Sequence, residues 1–218
     1  MCRSWPATRR VKLPVLSILS RRTRSWVCWG PGVPERTDDK QNPEVQRVLG
    51  ILIGQNRGGD EVMKALGDKK FVSFVDATDY GKSMNKDFTQ FTLENGNEIL
   101  GTFSVPPDQQ DLSAELTKIK ELNPEVIYFG GLTPLGARLR TQMAKFGINA
   151  QFEGNSGIMG DAFINAAGTE LTEGTVTFFD SPPITKMPGG KMFTDAYKTA
   201  GYSEPPEAYG PFAFIATH

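Results

Sequence analysis

Cysteine and histidine are nearly missing from this 218-residue chain: Cys2 and Cys28 stand near its start, and its one histidine, His218, is the last residue. Catalytic triads of the Ser/His/Asp or Cys/His kind, and metal sites built on His or Cys, are thereby nearly excluded from the body of the chain. No run of about 18 apolar residues occurs, so no segment reads as a membrane-spanning helix. Basic charge is also scarce beyond the head. The formal net charge is −1, yet residues 1–34 hold seven basic side chains (Arg3, Arg9, Arg10, Lys12, Arg21, Arg22, Arg24) and no acid, which leaves −8 on the remainder. An acidic body argues against a general nucleic-acid binder, because phosphate contacts need clustered Lys and Arg. Internal repeats and low-complexity tracts are absent too. What is present, 39% hydrophobic and 22% charged residues, suffices for one large or two small globular domains.

Residues 1–42 read as a basic head and linker. Leu13 to Leu19 follows Arg9-Arg10-Val11-Lys12 as an apolar stretch follows a charged start in a secretory signal, but it contains Pro14 and ends in Arg21-Arg22 where a small-residue cleavage site belongs. The same composition fits an organelle transit peptide, or a disordered or non-native start. Residues 43–68 read as a short strand-helix segment: a strand over Val45–Ile53, a turn over Gly54–Gly59 and a helix from Asp60 to Leu66. A strand, glycine turn and helix can hold a phosphate at the helix N-terminus, although the spacing is neither GxGxxG nor GxxxxGK[ST].

From Lys69 the pattern becomes regular, with three β-runs that each stop at a small or polar loop before the next helical stretch. Phe71–Val75 leads to Asp79-Tyr80-Gly81, Val126–Phe129 to Gly130-Gly131, and Ala150–Phe152 to Gly154-Asn155-Ser156-Gly157. A helix from about Gly81 places Met84, Phe88 and Phe91 on one face, another carries Leu112, Leu116, Ile119 and Leu122, and a third carries Leu135, Leu139, Met143 and Phe146. Further strands are expected at Glu98–Val105 and Thr175–Phe179, and helices at Asp161–Ala167 and Gly190–Thr199. Alternating strands and helices give an α/β, doubly wound, mostly parallel sheet of five strands, whose ligands sit beyond the carboxyl ends of the strands.

Several segments carry a family resemblance: Lys69-Lys70, Asp79-Tyr80-Gly81-Lys82, Asp111-Leu112-Ser113, Asn123-Pro124-Glu125-Val126-Ile127-Tyr128-Phe129-Gly130-Gly131 and Gly154-Asn155-Ser156-Gly157-Ile158, with Arg36-Thr37-Asp38-Asp39-Lys40-Gln41 upstream. In that order they resemble the branched-chain amino-acid (Leu/Ile/Val) binding proteins, type I periplasmic substrate-binding components of ABC transporters. The resemblance runs from about Lys64 to Ala216. It implies two α/β lobes closing on a ligand by a hinge, of which this chain matches essentially the second: a substrate-binding lobe over 69–205, a crossover over 206–218, and a first lobe largely missing. It also implies a periplasmic or exported location, a small amino acid or amide as ligand, a membrane permease as partner, no enzymatic activity and no cofactor.

The resemblance implies a ligand-binding set of Tyr80, Gly131, Leu132, Ser156 and Tyr209. Tyr80 offers an aromatic face and a hydroxyl, and Gly131 a backbone N–H. Leu132 stands where many relatives place a tyrosine, so it offers an apolar contact or simply packs in the core. Ser156 stands where relatives commonly carry Asp or Glu, so it supplies a neutral acceptor in place of a charge; Glu153 and Asp161 are nearby carboxylates that read as exposed. Tyr209 is an aromatic contact or interlobe packing. Two other readings stand beside this one: a ligand-sensing module of the same fold, and a nucleotide-binding α/β enzyme domain centred on Gly54–Gly59.

Overall fold

The structure, a computed structural model, describes residues 17–19, 26–28, 45–46, 52–179, 181–203, 206 and 209–217, with side chains described from 56 onward except at 60, 64 and 215–217. The Arg36–Gln41 segment, Cys2 and His218 lie outside the described residues. Five strands form one parallel sheet: β4 (Lys70–Asp76), β5 (Glu98–Val105), β6 (Val126–Gly130), β7 (Gln151–Gly154) and β8 (Val176–Thr177) lie in the order β5-β4-β6-β7-β8, all neighbours parallel. Helices connect them: α2 (Asp79–Glu94), α3 (Ser113–Leu122), α4 (Thr133–Phe146), α5 (Asp161–Ala167) and the short α6 (Thr169–Thr172). The doubly wound sheet expected from the sequence is therefore formed.

β4 and β6 lack the polar alternation of a half-exposed strand, and both are buried on two faces, as central strands of a parallel sheet must be. Val72, Phe74, Ile127, Phe129 and Phe152 point to one side, under Leu116 and Ile119 of α3, Leu135, Leu139 and Met143 of α4 and Phe163 of α5. Phe71, Val75, Val126 and Tyr128 point to the other, under Met84 and Phe88 of α2 and Met63 of α1 (Leu52–Leu66). Each such side chain contributes about 1.5–3 kcal/mol on burial, so these paired layers fix the register from which the loops emerge. Phe91 and Phe146, expected in the core, are half-buried, and Leu122 is exposed, because each lies at the rim of its helix's apolar stripe.

Local signals set the helix ends. Thr78 accepts a hydrogen bond from the Gly81 N–H at 3.2 Å and caps α2, which starts at Asp79, two residues before Gly81. Asn123 ends α3 in the left-handed conformation (φ 47°), and Gly147 ends α4 the same way. Towards the end of the chain, α7 (Gly190–Ala200) and α8 (Gly210–Thr217) bring Phe193 and Phe214 edge to face, 5.6 Å between ring centres.

Upstream of the sheet the structure departs from the sequence reading. The strand expected over Val45–Ile53 is limited to β3 (Val45–Gln46), and α1 begins at Leu52, so Gly54–Gly59 is helix and not a turn. The reason is packing: Asn56, Gly59 and Met63, spaced three and four apart, form a buried face against the sheet. No phosphate-holding loop exists there, which removes the observation on which a nucleotide-binding enzyme domain rested. The head expected to be a disordered or non-native start also contains strands: β1 (Ser17–Leu19) pairs antiparallel with β2 (Trp26–Cys28), and β2 pairs parallel with β3. Backbone pairing between these β-prone runs, Ser-Ile-Leu and Trp-Val-Cys, accounts for their order. At the other end of the sheet, β8 is two residues where Thr175–Phe179 was expected, since only Val176 and Thr177 find partners on β7.

Candidate functional site

The order β5-β4-β6-β7-β8 reverses direction between β4 and β6, and the crevice beyond the carboxyl ends at that point is where open α/β sheets hold ligands. The three loops noted in the sequence leave the sheet there, after Asp76, Gly130 and Gly154. They are packed on one another. A Cβ added to Gly157 would fall 2.2 Å from the Gly131 carbonyl oxygen, and one added to Gly131 would fall 3.1 Å from Asp76 Oδ2. Thr133 donates its hydroxyl to the Gly157 carbonyl at 3.1 Å. The chain between Asp76 and Tyr80, the Gly130–Thr133 turn and the Asn155–Ile158 turn therefore form one continuous wall.

On that wall the expected residues take different stations. Tyr80, half-buried in the first turn of α2, packs against the core layer of Phe71, Met84, Phe88 and Tyr128. Gly131 is buried between Phe129 and Asp76. Leu132, the residue before α4, is 56% exposed, which rules out core packing and leaves its side chain on the surface of the wall. Ser156 is buried in a 3₁₀ turn, Ser156–Ile158, held by Asn155, whose side chain accepts from the Gly157 N–H at 2.8 Å. Tyr209 stands apart from these contacts: its ring meets Phe179, just past β8, edge to face at 5.1 Å.

Sequence reasoning misplaced one carboxylate and missed another. Glu153 is fully buried in β7, not exposed, because its register opposite Tyr128 puts it on the face of the sheet covered by α1; Asp161 is exposed as expected. A Cβ on Gly59 would lie 2.5 Å from Glu153 Oε1 and 2.9 Å from the Phe178 ring, so only glycine allows α1 to approach this closely. Next to Glu153, the Tyr128 hydroxyl donates to Asn56 Oδ1 at 2.7 Å, and Asn56 Nδ2 donates to the Met84 carbonyl at 3.2 Å. Burial pushes the Tyr128 hydroxyl well above the usual tyrosine value, and the charges of Tyr80 and Glu153 add to the shift, while the Asn155 amide pulls the other way. The missed carboxylate is Asp76, 1% exposed at the end of β4. The signal for it was legible: an Asp two residues before a Thr that caps a helix commonly turns back on the backbone.

Among the described residues there is no group of three or more His, Cys, Asp or Glu placed to hold a metal, and no helix long and apolar enough to cross a membrane.

Comparison with known families matches residues 14–218 to the family described as periplasmic binding protein. The chain belongs to that family. The match starts upstream of the Arg36–Gln41 segment and takes in the three short strands before α1. Among curated relatives of this periplasmic binding protein, the Leu/Ile/Val-binding protein BraC3 of Rhizobium johnstonii is 32% identical over 212 residues, 97% of this chain and 56% of the relative. The Leu/Ile/Val-binding protein homolog 3 of Brucella melitensis is 32% identical over 157 residues, 72% of this chain and 42% of its own. Among solved structures, the leucine binding protein LivK of Thermotoga maritima superposes with a TM-score of 0.71 at 26% identity, covering 81% of this chain and 51% of the other. A Rhodopseudomonas palustris solute binding protein in complex with benzoate shares the fold, with a TM-score of 0.68 at 18% identity over 80% of this chain and 48% of its own. The chain spans about half the length of the relatives it matches. It is thus a member of a branched-chain amino-acid binding family whose role is to bind solutes, and that family is periplasmic.

Proposed function

We propose that this chain forms one wall of the ligand cleft of an ABC-importer substrate-binding protein that takes an amino acid or a small amide between two lobes and delivers it to a membrane permease. The observation that supports it is the packing of the three loops at the switch point, through Asp76, Gly131, Thr133 and Gly157, into a continuous surface. On that surface the Tyr80 ring is the aromatic floor, the Gly131 N–H a donor, Leu132 the apolar contact and Ser156 a neutral hydroxyl. Tyr209 contributes an aromatic edge from the segment that follows β8. The mechanism is hinge closure onto preorganised polar groups, with no bond made or broken.

One wall supplies part of the contacts that a closed cleft makes, so affinity in this chain by itself is weak. Titrating leucine, isoleucine, valine and short amides into the full chain, with backbone amide shifts as readout, should move resonances of residues 77–81, 130–133 and 155–157 and no other cluster. Shifts centred elsewhere overturn the site. A micromolar or tighter constant by calorimetry overturns the one-wall reading.

A further inference from the structure

Within this cleft reading, on which the inference rests, we propose that Asp76 is the anionic contact that draws the cationic group of the ligand, and that it replaces the charge Ser156 does not provide. Asp76 ends β4 on the switch-point side of the sheet and is 1% exposed. Its Oδ1 accepts from the Thr78 backbone N–H at 3.1 Å and, in a short contact, from the Thr78 hydroxyl. Its Oδ2 accepts no hydrogen bond among the described residues, and no Lys or Arg among them is paired with it, the one ion pair there being Lys191–Asp195 on α7. This oxygen lies against the Gly131 turn, and the carboxylate is flanked by two glycines: a Cβ on Gly81 would fall 2.4 Å from Oδ1 and one on Gly131 3.1 Å from Oδ2. Thr78 therefore covers Oδ1, while neither glycine places a side chain over Oδ2.

A carboxylate this deeply placed, with one oxygen engaged and no cation beside it, carries an uncompensated desolvation cost that a ligand ammonium relieves. Tyr80, four residues on in the adjoining first turn of α2, places an aromatic ring in the same loop, suited to the apolar body of such a ligand. The ligand class is a primary amine with a short apolar chain, amino acids included, in preference to a simple carboxylic acid.

Three probes of one skeleton test this on the full chain by amide NMR: leucine, 3-methylbutylamine, which lacks the carboxylate, and 4-methylpentanoate, which lacks the amine. Leucine and the amine should shift residues 76–81 and 130–132, and the acid should not. Asp76→Asn keeps an acceptor for Thr78, so the Thr78 and Gly81 amide positions and the thermal midpoint serve as its folding control. In that variant the response to both amines should weaken roughly tenfold or more, the loss of one charge-assisted hydrogen bond. An acid that moves these amides as strongly as the amine overturns the proposal on wild-type protein alone, whether or not the variant folds. A folded Asp76→Asn with an undiminished amine response overturns it while leaving the cleft reading intact. Silence of all three probes removes the cleft reading and this proposal with it.

Discussion

Gly58 and Gly59, adjacent in α1, should respond in opposite ways to alanine. Gly58 faces open space, so Gly58→Ala gains only helix propensity and should raise stability by about 0.5–1 kcal/mol. Gly59→Ala drives a methyl into Glu153 and Phe178, and overpacking of this kind costs about 1–3 kcal/mol, more than the propensity gain. Urea midpoints of the two variants check both signs. At the surface, Glu125 accepts from the backbone N–H groups of Lys69 at 2.6 Å and Lys70 at 3.0 Å, which hold its carboxyl below the ordinary value of 4.5. A lowered folded value stabilises the fold above the ordinary value and loses that contribution as pH falls through the lowered one. Glu125→Gln should therefore lower the neutral region of the stability profile slightly, leave its acid limit unchanged and so flatten the slope below about pH 4.5, as urea midpoints against pH will report. At this scale the sequence was least informative. Glu153 looked like a loop carboxylate because a Glu next to Gly and Asn usually is one; only its register opposite Tyr128 turns it inward, and register is a property of two strands.

At the scale of elements, a short polar chain from Tyr128 through Asn56 to the Met84 carbonyl ties α1 to the body. Tyr128→Phe preserves the ring stacked on Phe88, 3.8 Å between centres, but strands Asn56 Oδ1 in a buried site. That should cost about 1–3 kcal/mol, and amide hydrogen exchange should show lost protection concentrated in α1 with β5 unaffected. The helices α2, α3 and α4 were legible because apolar residues recur at spacings of three and four between recognisable caps, Thr78 before α2, Asn123 after α3 and Gly147 after α4. The helix α1 was not, since three glycines fall within it and glycine disfavours helix by about 1 kcal/mol each. Contact with Glu153 and Phe178 overrides that preference, and no local signal announces such a contact.

The whole molecule carries its candidate site on a sheet in which neighbouring strands are never consecutive hairpin partners: each parallel pairing spans an intervening helix. The fold class and the three loops beyond the carboxyl ends of the strands followed from the alternation of β-runs and helical stripes, and the family match agrees with the fold class; the strand order came only from the structure. The parallel order also has a bearing on assembly in time. Phe71 pairs with Ile99 of β5 first, and finds its ladder partner on β6 only when Val126 has been made and has folded back past β5, α2 and α3. Contacts between residues so distant in the chain are slow to close. A nascent chain halted before β6 would hold Asp76 and Tyr80 with no Gly131 turn beside them, so the wall comes into being late and all at once, at the step that completes the centre of the sheet.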